Sequence, residues 1–261
     1  MTWTIGFILF IYGAVMGSFL NVCIYRLPRE ESIVFPGSHC PICQKPILWR
    51  DNIPLLGWAL LRGRCRQCQG SISPLYPLVE LVTALLTVGL GVRFGLTLET
   101  LFLVILGYAF IVLTMIDFEH YILPDVITLP GIIFGLLVTA LPWIGPPFPP
   151  FKEALIGVVA GGGGLWGFAW LFEKITGKVG MGFGDVKLTA LIGAWMGWQA
   201  LPFTIFVSAL IGSVVGITWI LIAGRDRHLP IPFGPYLIGG AWCYLYWGPE
   251  AYTWYFGLIL H

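Results

Sequence analysis

The chain has 261 residues, of which 57% are hydrophobic, 15% aromatic and 10% charged, with a mean hydropathy of +0.86. A soluble domain carries about 25% charged residues on its surface, so 14 Lys plus Arg and 13 Asp plus Glu exclude a pair of soluble domains. The net charge of +1 argues against a nucleic-acid partner, and six cysteines are too few for a disulfide-dense secreted domain. The composition fits an all-α polytopic membrane protein.

One crossing needs about 20 apolar residues. Eight segments qualify, from Trp3 to Tyr25, Leu75 to Val92, Leu101 to Ile116, Val126 to Ile144, Ala154 to Phe172, Val186 to Trp198, Phe203 to Ala223, and Tyr236 to Leu258. The first is too long for a cleaved signal peptide, and Met1 to Phe7 carries no Lys or Arg. The sixth is short, and Pro202 separates it from the seventh by a tight turn. Gly161 to Gly164 lie in the fifth without the following Lys-Ser/Thr of a phosphate loop, so they read as a helix-packing surface. The expected division is a first transmembrane helix over 1–26, a cytoplasmic insert over 27–74 and a transmembrane bundle over 75–261.

Basic loops stay in the cytoplasm. The loop after the first span holds Arg26, Arg29, Lys45, Arg50, Arg62, Arg64 and Arg66. Alternation then puts the Asp117 loop, the Lys174/Lys178/Lys187 loop and the Arg225/Arg227 loop on the same side, leaving only Arg93 and Lys152 outside. Both termini are therefore expected outside the cytoplasm.

The insert carries Cys40-Pro-Ile-Cys43 and Cys65-Arg-Gln-Cys68, two CxxC knuckles at a spacing close to that of zinc ribbons. A closed four-thiolate shell leaves no position for water, so the metal is structural, standing in for a core that so short an insert cannot build. Two disulfides are the alternative, disfavoured by a reducing cytoplasm. Cys23 and Cys243 lie in spans and read as small buried residues. The Arg62 to Arg66 run reads as a solvated, topology-setting loop ahead of a site for acidic groups.

Ionisable groups beside spans are costly and mark candidate sites. Of five aspartates, Asp117 closes the third span and Asp185 opens the sixth after Gly182-Phe183-Gly184, so both reach the cytoplasmic leaflet. Two carboxylates sharing one proton can hydrolyse a peptide: the ionised one takes a proton from water and the protonated one polarises the carbonyl. The glycines before Asp185 would let an extended substrate backbone approach. Chemistry alone leaves Asp117 and Asp185 equally readable as helix-end groups, and Asp125 after Pro124 reads first as a helix cap. Glu119 and His120 read as solvated loop residues.

Several strings together resemble the bacterial type IV prepilin peptidase family. They are Gly17-Ser18-Phe19-Leu20-Asn21 through Leu27-Pro28, the double CxxC insert with Asp51-Asn52-Ile53-Pro54, Tyr76-Pro77-Leu78-Val79-Glu80, Asp117 with Leu123-Pro124-Asp125, and Gly182-Phe183-Gly184-Asp185. The match runs along essentially the whole chain. The resemblance implies an inner-membrane aspartic endopeptidase of the GxGD type, with catalytic Asp117 and Asp185 and supporting Gly182, Gly184 and Asp125; the metal ligands Cys40, Cys43, Cys65 and Cys68 rest on the knuckle spacing, and both pairs are present. It implies removal of the basic leader of type IV prepilins, or of the pseudopilins of type II secretion, and often N-methylation with S-adenosylmethionine. No Rossmann-type glycine pattern supports methyl transfer, and Glu80 and the Gly17 to Pro28 stretch are equally explained by packing. Two other classes compete: a transporter or proton relay built on intramembrane carboxylates, and a scaffold presenting the metal insert. The acids at one membrane edge and the lack of an internal repeat weigh against the first, and the paired aspartates against the second.

Overall fold

The computed structural model describes residues 2–177, 181–223 and 232–259. Among them nearly all regular structure is helical, and the strand-type pairing consists of two isolated bridges, His39 with Pro46 and Arg64 with Ser71. The helices are α1 (Trp3–Arg26), α2 (Leu56–Leu60), α3 (Leu75–Phe94), α4 (Leu98–His120), α5 (Asp125–Thr139), α6 (Phe151–Val158), α7 (Leu165–Thr176), α8 (Phe183–Met196), α9 (Ala200–Ala223) and α10 (Gly234–Ile259). A wider π-turn over Val159–Gly164 joins α6 to α7 without a break.

Five helical stretches among the described residues are long and apolar enough to cross a bilayer: Trp3–Arg29, Leu75–Phe94, Leu98–His120, Phe151–Thr176 and Ala200–Trp219. Their outer faces carry large apolar side chains, such as Phe7, Ile8 and Ile11 on α1 and Phe206, Leu210 and Val214 on α9. Exposed apolar area of that extent belongs in lipid, and the chain is a multi-pass membrane protein. α10 overlies the eighth expected segment, whereas α5 and α8 overlie the fourth and sixth with only 15 and 14 residues. At about 1.5 Å per residue each is roughly 22 Å long, short of the ~30 Å hydrocarbon core.

The chain divides into two compact units, Met1–Ile116 and Asp117–His261. In the first, α1 packs along α3. At Gly17 a Cβ would stand 2.6 Å from the Glu80 Cα, so the missing side chain lets the two backbones meet. In the second, α8 is the central post, touching α5, α6, α7, α9, α10 and the π-turn. Leu188 to Met196 are buried on every face, as expected of a helix apolar all round. A helix sheathed by protein has no need to match the bilayer, which accounts for its shortness.

Three local expectations change. Pro202 lies in the first turn of α9, where a missing N–H costs nothing, and the chain reverses instead at Gly197, whose φ is +79°. Asp125 opens α5 without a side-chain cap, Pro124 occupying the cap position. Arg26, Lys174 and Lys187, assigned to loops, are helical. Lys178, Arg225 and Arg227 lie outside the described residues.

Candidate active site and metal centre

Asp117 sits in the last turn of α4 and is 5% exposed. Its Oδ2 accepts the backbone N–H of Gly234 at 3.0 Å. Gly234 is the first residue of α10, where backbone N–H groups lack intrahelical partners and point outward. A Cβ on Gly234 would stand 2.6 Å from that same oxygen, so this close approach requires glycine.

Asp185 lies in the first turn of α8, and its Oδ2 folds back to within 3.7 Å of where a Gly182 Cβ would be. Leu123 connects the two acids. Its Cβ comes within 3.2 Å of the position a Gly184 Cβ would occupy, and its Cδ2 within 3.4 Å of the corresponding position at Gly234. The ends of α4, α8 and α10 thus converge on one leucine, and the Asp117 carboxylate acts electrostatically on that of Asp185. Among the described residues no Lys, Arg or His forms an ion pair with either acid. Gly182 and Phe183 are exposed and Asp185 is half-buried, so the site is approachable from the α8 side.

Asp125 accepts a hydrogen bond from Lys187 Nζ, which ties the start of α5 to α8 two residues beyond Asp185. The same ammonium lies 4.8 Å from the Phe183 ring centre. Glu119 and His120, expected in a loop, complete α4; the buried His120 Nε2 is 3.9 Å from Glu119 Oε2 and makes no hydrogen bond among the described residues.

In the first unit the ligand atoms of Cys40, Cys43, Cys65 and Cys68 all lie within 4.8 Å of one another, and all four cysteines are free thiols. The knuckles repeat one pattern. Cys40 N–H donates to the Lys45 carbonyl at 3.0 Å and Gln44 N–H returns to Cys40 at 2.8 Å, while Cys65 N–H donates to Gly70 at 2.9 Å and Gln69 N–H returns to Cys65 at 3.0 Å. Gln44 and Gln69 take left-handed φ of 58° and 56°. Cys65 is drawn down to about 6, chiefly by the backbone N–H groups of Cys68 and Gln67. Cys68 is pushed up to about 11: the Gly70 N–H pulls its thiol down, but desolvation and the neighbouring thiols outweigh it. Sulfurs this crowded cannot all ionise unless a cation stands among them. Asp51 fastens the insert by a two-pronged bond to Arg66, Nε to Oδ2 at 2.8 Å and Nη2 to Oδ1 at 2.6 Å. The guanidinium holds the Asp51 carboxyl below the usual range.

Residues 11–94 match the family described as the bacterial peptidase A24 N-terminal domain, and residues 101–217 match the type IV leader peptidase family. A prepilin leader peptidase/N-methyltransferase of Aeromonas salmonicida is 40% identical over 285 residues, covering 100% of this chain and 97% of its own. The chain belongs to the type IV leader peptidase family. Two further members with the same description are similar along most of their length. That of Aeromonas hydrophila is 42% identical, with 98% of this chain and 95% of its own covered, and that of Pseudomonas aeruginosa is 38% identical, with 91% and 89% covered. No solved structure matches the chain.

Three residues of this family member's site escape a reading by motif. Gly234 lies in Pro232-Phe233-Gly234-Pro235, a turn signal ahead of an apolar run that marks a helix start but gives no hint of an acid 117 positions earlier. Leu123 looks like any apolar residue. Lys187 reads in the sequence only as a topology charge, although it stands two residues after Asp185.

Proposed function

We propose that the protein is a membrane-embedded aspartic endopeptidase of the GxGD type. It removes the basic leader of type IV prepilins or pseudopilins, cutting after a glycine at the cytoplasmic face of the bacterial inner membrane, and then methylates the new N-terminal residue. The observation that carries this reading is that Leu123 packs against both Gly184, which precedes Asp185, and Gly234, which binds Asp117, while among the described residues neither acid is paired with a cation.

In this reading the Gly234 N–H fixes one oxygen of Asp117 and leaves the other to face a water molecule. One carboxylate takes a proton from that water while the other, protonated, hydrogen-bonds the scissile carbonyl. The water oxygen adds to the carbonyl carbon, the C–N bond breaks, and the proton passes to the departing amine. The exposed Gly182 and Phe183 leave room for an extended substrate backbone, whose polar groups need edge pairing where water is scarce. The mature pilin's apolar helix stays in lipid while its basic leader projects into the cytoplasm.

The four cysteines hold one Zn²⁺. The Cys40 and Cys68 sulfurs are 3.8 Å apart, the edge of a tetrahedron built on Zn–S bonds of about 2.3 Å. A disulfide would need roughly 2.05 Å. The metal locks the knuckles and takes no part in hydrolysis. Supporting Gly182, Gly184 and Asp125 act by packing and by the Lys187 tether. The domains are a first transmembrane helix at 1–26, a cytoplasmic zinc insert at 27–74 and a peptidase bundle at 75–261, crossing eight times with both termini periplasmic; twelve of 14 basic residues on one side support that topology. The relatives' N-methyltransferase description supports the second activity. S-adenosylmethionine, when bound, would supply the methyl group for the new terminal amine.

The test is cleavage of a purified prepilin by detergent-solubilised protein. Asp117→Asn and Asp185→Asn each cut cleavage by about 10³-fold or more, while thermal unfolding of the variants stays near wild type. Normal processing by either variant overturns the aspartyl mechanism. A gain of one methyl mass on the cleaved product, dependent on S-adenosylmethionine, tests the second activity.

A further inference from the structure

The cysteine-bearing insert exposes large apolar side chains that neither the metal centre nor the candidate active site uses. Trp49 is 82% exposed, Phe35 77% and Leu60 76%, with Val34 and Leu56 also open. None of the five lines the cavity within the first unit, so they belong to its outer surface. A short domain has little apolar material to spare for its core, and an exposed apolar surface of this kind marks an interaction site. We propose that this surface rests on an anionic phospholipid bilayer, the apolar side chains entering the headgroup layer while Arg50, Arg62 and Arg64 meet lipid phosphates.

Side chains of the two flanking spans locate these residues at membrane level. Asn21 Nδ2 in α1 donates to the Tyr76 carbonyl in α3 at 3.0 Å, so the two helices reach the insert side by side. Tyr25 and Tyr76 are exposed at those ends, and the Arg29 guanidinium lies 4.0 Å from the Tyr25 ring centre. Aromatic and basic groups at the ends of spans favour the headgroup layer. The Arg26 guanidinium, in the last turn of α1, donates to the Ser32 and Pro36 carbonyls at 2.8 and 2.7 Å. Val34 and Phe35 lie between those carbonyls in the chain, so their loop stands beside the end of α1. On α3, Glu80 Oε2 accepts the Leu55 N–H at 2.7 Å, and the Ser18 hydroxyl donates to the same carboxylate. Glu80 stands five residues into α3, about 7.5 Å along its axis, and helix side chains lean toward the N-terminus. Leu55 is therefore level with the first turn of the span. α2 begins at the next residue, with Leu56 and Leu60 one turn apart on one face. Gly57 packs against the Asp51 carbonyl with no room for a Cβ, which keeps the Trp49–Asp51 turn against α2.

Charge selects the kind of lipid. Residues 27–74 hold six Lys and Arg against three acids, Glu30, Glu31 and Asp51, and Asp51 is already taken by Arg66. Arg50 follows Trp49 directly, Arg62 and Arg64 follow Leu60, and all three are exposed. Each basic residue near an anionic bilayer favours contact about fivefold. A protein partner could cover apolar side chains anywhere on the insert. Side chains level with the ends of two spans, continuous with their lipid-facing surfaces and flanked by arginines, suit a bilayer, and Trp in particular prefers the headgroup layer.

Photocrosslinking of the full-length protein in nanodiscs of equimolar phosphatidylcholine and phosphatidylglycerol tests the proposal. The photoreactive residue p-benzoylphenylalanine is placed singly at Phe35, Trp49 or Leu60, or at Leu210 on the exposed apolar face of α9 as a control, and adducts are identified by mass spectrometry. All four positions give lipid adducts. At the three insert positions phosphatidylglycerol exceeds phosphatidylcholine at least about twofold, whereas at Leu210, which meets acyl chains, the two follow their bulk ratio. Arg50→Gln, Arg62→Gln and Arg64→Gln together abolish the enrichment, with labelling at Leu210 unchanged as the report on the fold. An insert that labels no lipid while Leu210 does overturns the proposal. So do adducts to a second copy of the chain or to added prepilin in place of lipid, and so does an enrichment that survives the three substitutions.

Discussion

Asp51 in the first unit and Asp117 in the second are the same side chain in opposite circumstances. Asp51 is gripped at both oxygens by a guanidinium. Asp117 is buried and meets one backbone N–H. A full countercharge makes a carboxylate a fastener, since its lone pairs and its charge are both committed. A single amide fixes direction while leaving an oxygen available, and a chain that keeps a buried acid so lightly compensated bears the desolvation cost for a use other than stability. The same contrast separates Glu80, held by neutral donors, from Asp125, tied to Lys187.

The sharpest way to break this comparison is to release the first unit's fastenings. Cys40→Ser removes one of four thiolates, and because structural zinc contributes about 10–16 kcal/mol to small sites, elemental analysis should fall from about one zinc per chain toward none and the 27–74 segment should become open to proteolysis. Retained metal with an intact insert would show that the knuckles hold themselves. Next in size is Gly234→Ala, whose new Cβ would meet Asp117 Oδ2 at 2.6 Å. The displaced carboxylate should lower kcat about 10²-fold with KM little changed, measured by initial rates of prepilin cleavage. An unaltered rate would mean that the amide does not position the acid.

Lys187→Met probes a fastener inside the second unit. The Asp125 side chain is 57% exposed, so water screens the pair and the melting temperature should drop by no more than about 3 °C. Asp125→Asn in the Lys187→Met background should add nothing further. The smallest effect is the pH response of the insert. Because Arg66 holds the folded Asp51 carboxyl below its usual value, the stabilisation is present above about pH 3.9 and is lost as pH falls through the lower folded value. Hydrogen-exchange protection over residues 48–52, taken relative to the intrinsic exchange rate at each pH, should fall by about twofold across that acid range, and Arg66→Met should abolish that change.

How far the site was legible varies residue by residue. Each of Asp117, Asp185 and the four cysteines announced itself through a local feature, a scarce charge at the end of an apolar run or a two-residue spacing. The long helices followed from the same scarcity. The lengths of α5 and α8 did not, because apolar composition reports burial without telling lipid from protein, and α8 is buried in protein on all sides. Asp125 read as a cap because Pro124 precedes it, and only the packing of α5 on α8 brought Lys187 within reach.

The sequence alone determined that this chain lives in a membrane, which of its residues can carry acid chemistry, and which four can hold a metal. Those properties depend on composition and on contacts a few residues apart. The tertiary structure decided what each acid meets: Gly234 for Asp117, Lys187 for Asp125, Leu55 for Glu80. Those partners lie 25 to 117 positions away in the chain, and whether a carboxylate fastens or reacts depends on the charge and donors that packing places beside it.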